Sequence, residues 1–218
     1  MRTLVITQRL DEYSEWAATH GEVVLGYEFR DVEPIIRRRE VDVVLFTGGE
    51  DVSPMLYGEI ADYRTHYSQR RDWREVGIYR ACEQAGVNTF GICRGAQFIS
   101  VMRGATLHQH IEGHAISGTH VATLFAEDKD NKLPDVMRVN STHHQAANML
   151  TVRLAGGKLL YTAKAMIEGR ESDVVEAAYW EVGLRKDYAV QWHPEYMGVH
   201  ETARVVAGEL LKRAGNEA

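Results

Sequence analysis

Short apolar runs alternate with amphipathic stretches through the first half of the chain. Leu4-Val5-Ile6, Val23-Val24-Leu25, Val41-Asp42-Val43-Val44-Leu45-Phe46 and Gly86-Val87-Asn88-Thr89-Phe90 have the bounded apolar character of buried strands. Helical patterns fall between them. Residues 34–40 open on a proline suited to a first helical turn, 72–86 carry acidic residues early and a glycine stop, and 96–102 are apolar at helical spacing. Residues 103–107 turn the chain back toward the sheet, and 51–69 read as an irregular surface loop rich in tyrosine. The second half is strand-rich: 120–125, 136–140, 151–154, 159–164, 174–179 and 188–191, with Gly156-Gly157 as a hairpin turn between the third and fourth. An amphipathic helix over 201–214 closes the pattern. It predicts an α/β fold: a central, mostly parallel sheet flanked by helices, with an antiparallel strand extension.

Length and composition narrow this. The 218 residues, 44% hydrophobic, suit one domain over 1–218 with a sizeable core. The balance of 25 basic against 31 acidic residues gives −6, which argues against nucleic acid as a partner. Two cysteines do not make a disulfide framework, so a reducing, cytoplasmic location is expected. The opening residues 1–7 are too short for a signal segment, and no apolar run approaches the roughly 20 residues of a membrane span.

The densest chemistry lies at Phe90-Gly91-Ile92-Cys93-Arg94-Gly95-Ala96-Gln97. Gly-x-Cys-x-Gly between a strand and a helix is the cysteine form of a nucleophile elbow, a sharp turn that exposes its central side chain. The flanking glycines leave room for that turn, and the following helix points its N-terminal N–H groups at the sulfur. A lone cysteine is most often a small buried hydrophobe; the glycines and the strand-to-helix setting reverse that for Cys93. Cys82 has no such setting and reads as a plain helix residue.

A cysteine nucleophile needs a base and the base an orienting group. Gln191-Trp192-His193-Pro194-Glu195 offers both just past a strand's carboxyl end, with Pro194 restricting the backbone between them. Thr47-Gly48-Gly49-Glu50-Asp51 follows another strand, where open α/β sheets place their ligands, although paired glycines also make plain tight turns with Asp51 and Ser53 as turn or cap residues. Asn140-Ser141-Thr142-His143-His144-Gln145 fits a pocket wall or a capped turn equally well. Arg37-Arg38-Arg39 reads as a solvated helix face. Histidines 108, 110, 114 and 120 lack any cysteine or regular carboxylate spacing, so no metal site is expected, and no cofactor.

Taken together, the Cys93 elbow and Trp192-His193-Pro194-Glu195 resemble the class I glutamine amidotransferases, and within them the γ-glutamyl hydrolase-like branch, peptidase family C26. That branch shows Gly-Gly-x-Asp, here Gly48 to Asp51, Cys-Arg-Gly, here Cys93 to Gly95, and Asn-Ser-x-His-x-Gln, here Asn140 to Gln145; Arg71-Asp72 also fits. His110 stands where the branch often has an acid, and the chain is shorter than many members. The resemblance implies a flavodoxin-like sheet and hydrolysis of a γ-glutamyl amide through a thioester on Cys93. His193 would be the base, Glu195 its orienting group, and the N–H groups of Gly49 and Arg94 the oxyanion hole. Gly48, Gln97, Asn140, His143 and His144 would line the substrate. Glutaminase coupled to an ammonia-accepting synthetase, free-standing hydrolysis of γ-glutamyl conjugates, and a non-catalytic glutamine-binding role all remain open at this point.

Overall fold

In the computed structural model, residues 1–7, 11–125, 133–196 and 201–215 are described. Nine strands form one mixed sheet. Strands β1 (Arg2–Ile6), β2 (Glu22–Gly26), β3 (Val43–Phe46) and β4 (Asn88–Ile92) come from the first half. A two-residue strand β5 (Leu107–His108) pairs apart from this sheet with β8 (Ala146–Ala147). The second half adds β6 (Ala115–Leu124), β7 (Val136–Thr142), β9 (Lys158–Ile167), β10 (Arg170–Val182) and β11 (Arg185–Val190). The order is β2-β1-β3-β4-β11-β10-β9-β6-β7. The first five are mutually parallel and the remaining pairings are antiparallel. This is the mostly parallel core with an antiparallel extension that the sequence predicts.

Side-chain alternation along the strands builds a core on each face. Leu4, Ile6, Val44 and Phe46 point to one side, where helices α2 (Phe29–Arg37), α3 (Gln69–Ala85), α4 (Arg94–Met102) and α5 (Met149–Leu154) contribute Val32, Ile78, Phe98 and Val152. Val5, Val43, Leu45, Phe90 and Val190 point to the other. There they meet Trp16 of α1 (Glu12–Ala18) and Leu210 and Leu211 of α6 (Glu201–Gly215).

The arrangement matters for function because β3, β4 and β11 are adjacent, parallel and level at their carboxyl ends. Phe46 pairs with Gly91, Val190 pairs with Ile92, and the Cys93 N–H donates to the Val190 carbonyl at 2.9 Å. The glycine loop, the cysteine and the histidine segment therefore leave the same rim of the sheet.

Several local expectations are corrected. Residues 151–154 form part of helix α5, not a strand. Asn148 caps the helix, accepting the Thr151 N–H at 3.1 Å, and the Thr151 hydroxyl bonds back to the Asn148 carbonyl. These local bonds override the strand preference of β-branched Thr151 and Val152. Gly156, at φ +76°, stops that helix instead of turning a hairpin. Pro34 lies inside α2, not at its start, because Val32 and Ile36, four apart, must both reach the core. Helix α1 carries no run long enough to announce itself in the sequence. The arginine run does behave as a solvated face: Arg37 pairs with Glu33 and Arg38 with Glu40.

Candidate active site

Cys93 sits at φ +51°, ψ −107°, between β4 and α4. A non-glycine residue with positive φ outside the left-handed helical well is strained, and such strain persists only where neighbours enforce it. The neighbours here are the two glycines. A Cβ on Gly91 would lie 2.4 Å from the Gly95 carbonyl carbon, and one on Gly95 would lie 2.1 Å from the Phe46 carbonyl oxygen. Gly95→Ala is accordingly expected to force α4 away from β3 and lower stability by about 1–3 kcal/mol, measured by urea unfolding.

His193 follows β11, and its backbone is clamped by one side chain. Its N–H donates to Asn140 Oδ1 at 2.8 Å, and Asn140 Nδ2 donates to the His193 carbonyl at 2.7 Å. Asn140 thus grips the histidine segment rather than standing free as a pocket wall. The imidazole Nδ1 lies 2.5 Å from Glu195 Oε1, and Glu195 is buried. Tyr196 stacks on the ring at 4.7 Å between centroids, and the Tyr13 hydroxyl approaches Nδ1 at 3.4 Å. Burial lowers the His193 pKa, but hydrogen bonding to Cys93 and Glu195 and their charges outweigh it and push it up to about 10. The imidazolium form of His193 is favoured at neutral pH. Burial and the nearby Glu195 and Cys93 push the Tyr13 hydroxyl well up, so it stays a neutral hydrogen-bonding group.

Gly48 packs between two of these groups. A Cβ there would meet the Tyr13 hydroxyl at 2.4 Å and His193 Cε1 at 2.9 Å. Gly49 adopts φ +142°, and its α-carbon faces the Arg71 guanidinium. Arg71 pins this loop: Nη2 donates to the carbonyls of Thr47 (3.0 Å) and Gly48 (2.9 Å), Nη1 to Glu50 (2.8 Å) and Nε to Glu75 (2.7 Å). With its carbonyls turned to Arg71, the loop is fixed beside His193. Arg94 opens α4, so its backbone N–H has no intrahelical acceptor. Its side chain turns inward and pairs with Asp72 and Glu75, all three fully buried. Burial raises Asp72 despite Arg94. Glu75, held by both Arg94 and Arg71, is pulled below the usual carboxylate range against the effect of its burial. This network ties elbow, α3 and glycine loop into one unit. Arg94→Met strands Asp72 without a cation and is expected to cost about 3–5 kcal/mol in urea unfolding.

The other sequence candidates fall elsewhere. Gln97 is buried, its Nε2 bonded to the Gln145 carbonyl (2.9 Å) and Gln191 Oε1 (3.2 Å), which braces the end of β11. His144 contacts Asp51 at 3.2 Å and His110 at 3.5 Å. His143 is buried in a cluster with His114, His120 and Glu176, the one grouping among the described residues that could hold a metal ion. Cys82 is fully buried, and burial pushes its thiol up, away from reactivity. Sequence reasoning missed Tyr13 and Arg71's hold on the loop. Arg71 could have been found four residues before Glu75 on the helix that precedes the elbow; Tyr13 left no signal.

The chain is 32% identical over 172 residues to a Mycobacterium tuberculosis protein whose name provisionally gives it as a glutamine amidotransferase; the match covers 70% of this chain and 50% of that one, so the chain spans about half of that relative's length. It is 26% identical over 219 residues to the γ-glutamyl-γ-aminobutyrate hydrolase PuuD of Escherichia coli, covering 87% of this chain and 80% of the relative. In fold it resembles the glutaminase domain of Trypanosoma brucei CTPS with bound acivicin, with a TM-score of 0.63, 12% identity, and coverage of 100% and 94%. It also resembles a glutamine amidotransferase of Thermotoga maritima, with a TM-score of 0.58, 15% identity, and coverage of 99% and 86%. No helix among the described residues is long and apolar enough to cross a membrane. The peptidase C26 profile matches residues 23–195, and the chain belongs to that family of glutamine amidotransferase-like and γ-glutamyl hydrolase-like enzymes.

Proposed function

We propose that this chain hydrolyses a γ-glutamyl amide through a thioester on Cys93. The observation that carries the reading is the strained Cys93 turn, hydrogen-bonded to an imidazole whose Nδ1 is held at 2.5 Å by a buried carboxylate. The Cys93 sulfur attacks the side-chain carbonyl carbon, and the oxyanion that forms accepts from the N–H groups of Arg94 and Gly49. The C–N bond then breaks, with His193 giving its proton to the departing nitrogen. Water, deprotonated by His193, attacks the thioester and releases glutamate and the free sulfur. Glu195 holds the imidazole in one orientation throughout. The substrate is a small molecule, glutamine or a γ-glutamyl conjugate.

Free-standing hydrolysis of a conjugate gains support from the E. coli hydrolase, which aligns along 87% of this chain. Ammonia and amine release by the purified chain, across glutamine and a panel of γ-glutamyl amides, separates the readings. Turnover of conjugates by the chain alone favours the hydrolase. Glutamine turnover that rises only with a synthetase favours the amidotransferase, and binding without turnover would refute both.

The pH dependence has a definite sign. His193 must carry a proton to release the amine, and its pKa is raised to about 10. Thus kcat/KM is expected to hold well above pH 6.5 and to fall as pH climbs toward 10, which a pH–rate profile measures directly. The same shift links to stability: the contribution of protonated His193 is complete below about pH 6.5 and is lost as pH rises through about 10.

A further inference from the structure

Four side chains from distant parts of the chain converge beneath the antiparallel extension. His114 precedes β6, His120 lies within it, His143 follows β7 and Glu176 lies in β10. One ligand atom from each lies within 4.8 Å of the others. Glu176, His114 and His143 are all but inaccessible, and His120 is nearly so.

Their hydrogen bonds fix the tautomers. His143 Nδ1 lies 2.9 Å from the Gln145 carbonyl and His114 Nε2 lies 3.0 Å from the Lys164 carbonyl. A carbonyl only accepts, so each of those nitrogens carries its ring's proton. The opposite nitrogens, His114 Nδ1 and His143 Nε2, then present lone pairs to each other at 3.3 Å. Two acceptors at that distance repel unless a cation lies between them. Glu176 Oε1 stands 3.8 Å from His114, 3.7 Å from His143 and 2.9 Å from His120, while Oε2 has no hydrogen-bond partner among the described residues. A tetrahedral ion with ligands at about 2.0–2.1 Å sets them roughly 3.3–3.4 Å apart. The cluster brackets that spacing. Imidazoles whose second nitrogens donate to backbone carbonyls are, moreover, the usual outer support of a metal site.

We propose that His114, His120, His143 and Glu176 form a structural site for one divalent transition-metal ion of the zinc class. The donor set, three imidazole nitrogens and one carboxylate oxygen, suits zinc and leaves it four-coordinate and closed. His120 joins by moving its proton to Nδ1, which has no partner of its own among the described residues. The ion would lock the extension to the catalytic rim. The Glu176 carbonyl accepts from the Gln191 N–H at 2.8 Å, and the Gln145 carbonyl is shared by His143 and Gln97. The expectation from the sequence that no metal is bound rested on spacing within 108–120, and only two of these four ligands lie there.

The test uses the full, untagged chain carrying Cys93→Ser, which removes the competing thiol. After loading with zinc chloride and desalting, elemental analysis is expected to find about one zinc per chain, and the melting temperature to rise with zinc and fall with a chelator. X-ray absorption at the zinc edge should show nitrogen and oxygen neighbours and no sulfur. Adding Glu176→Gln or His114→Ala should weaken zinc retention by about 10–100-fold. Should those variants fail to fold, absorption spectroscopy and the zinc-dependent melting shift of the Cys93→Ser chain decide alone. Zinc well below stoichiometry with no melting shift would overturn the proposal, as would zinc retained only when Cys93 is present.

Discussion

Cys93→Ala is expected to lower amide hydrolysis by at least about 10⁴-fold, to the residue of catalysis left by binding and the oxyanion donors. The other cysteine cannot replace the sulfur: Cys82 lies fully buried in the core on the α3 side of the sheet. The change should leave the fold intact, since alanine removes one atom from a side chain that is already small and only the strained backbone at φ +51° must be kept. Coupled release assays with a melting curve as control test this. Cys82→Ala is the matched comparison and should retain activity. Equal loss in both variants would point to general destabilisation, and undiminished turnover in Cys93→Ala would end the thioester account.

Glu195→Gln comes next, with an expected loss of about 10³–10⁴-fold in kcat. The amide keeps the shape but removes the charge that, with Cys93, holds His193 protonated against its burial. It can also turn its NH2 toward Nδ1 and select the wrong tautomer. A merely structural role for Glu195 would shift stability and leave the titration of His193 alone. The account instead expects His193, followed by NMR, to titrate well below about 10 in the variant and the alkaline limb of kcat/KM to move down with it.

How much of this was legible in the sequence depends on how local each signal is. The parallel strands are short apolar runs, and the elbow and the His193-Pro194-Glu195 step each lie within a few residues, so both read directly. Helix α1 did not, because its seven residues bury only Ser14, Trp16 and Ala17 and show no repeat. Tyr13 was lost with it. Asn140 could be seen as polar and clustered, yet its pairing with the His193 backbone spans 53 positions and depends on how β7 lies in the fold. The histidine cluster shows the same limit. His114, His120, His143 and Glu176 share no spacing rule, and only the order β10-β9-β6-β7 in the sheet brings them together. At 151–154 the sequence misled outright, since capping by Asn148 outweighs β-branched side chains.

The most direct test of the central claim is to quench the wild-type enzyme with acid during turnover of a γ-glutamyl amide and measure the intact mass. The account predicts an added mass of one glutamyl group, mapping to the peptide that contains Cys93 and absent in Cys93→Ala. Turnover that proceeds with the adduct on another residue, or in Cys93→Ala itself, would contradict it.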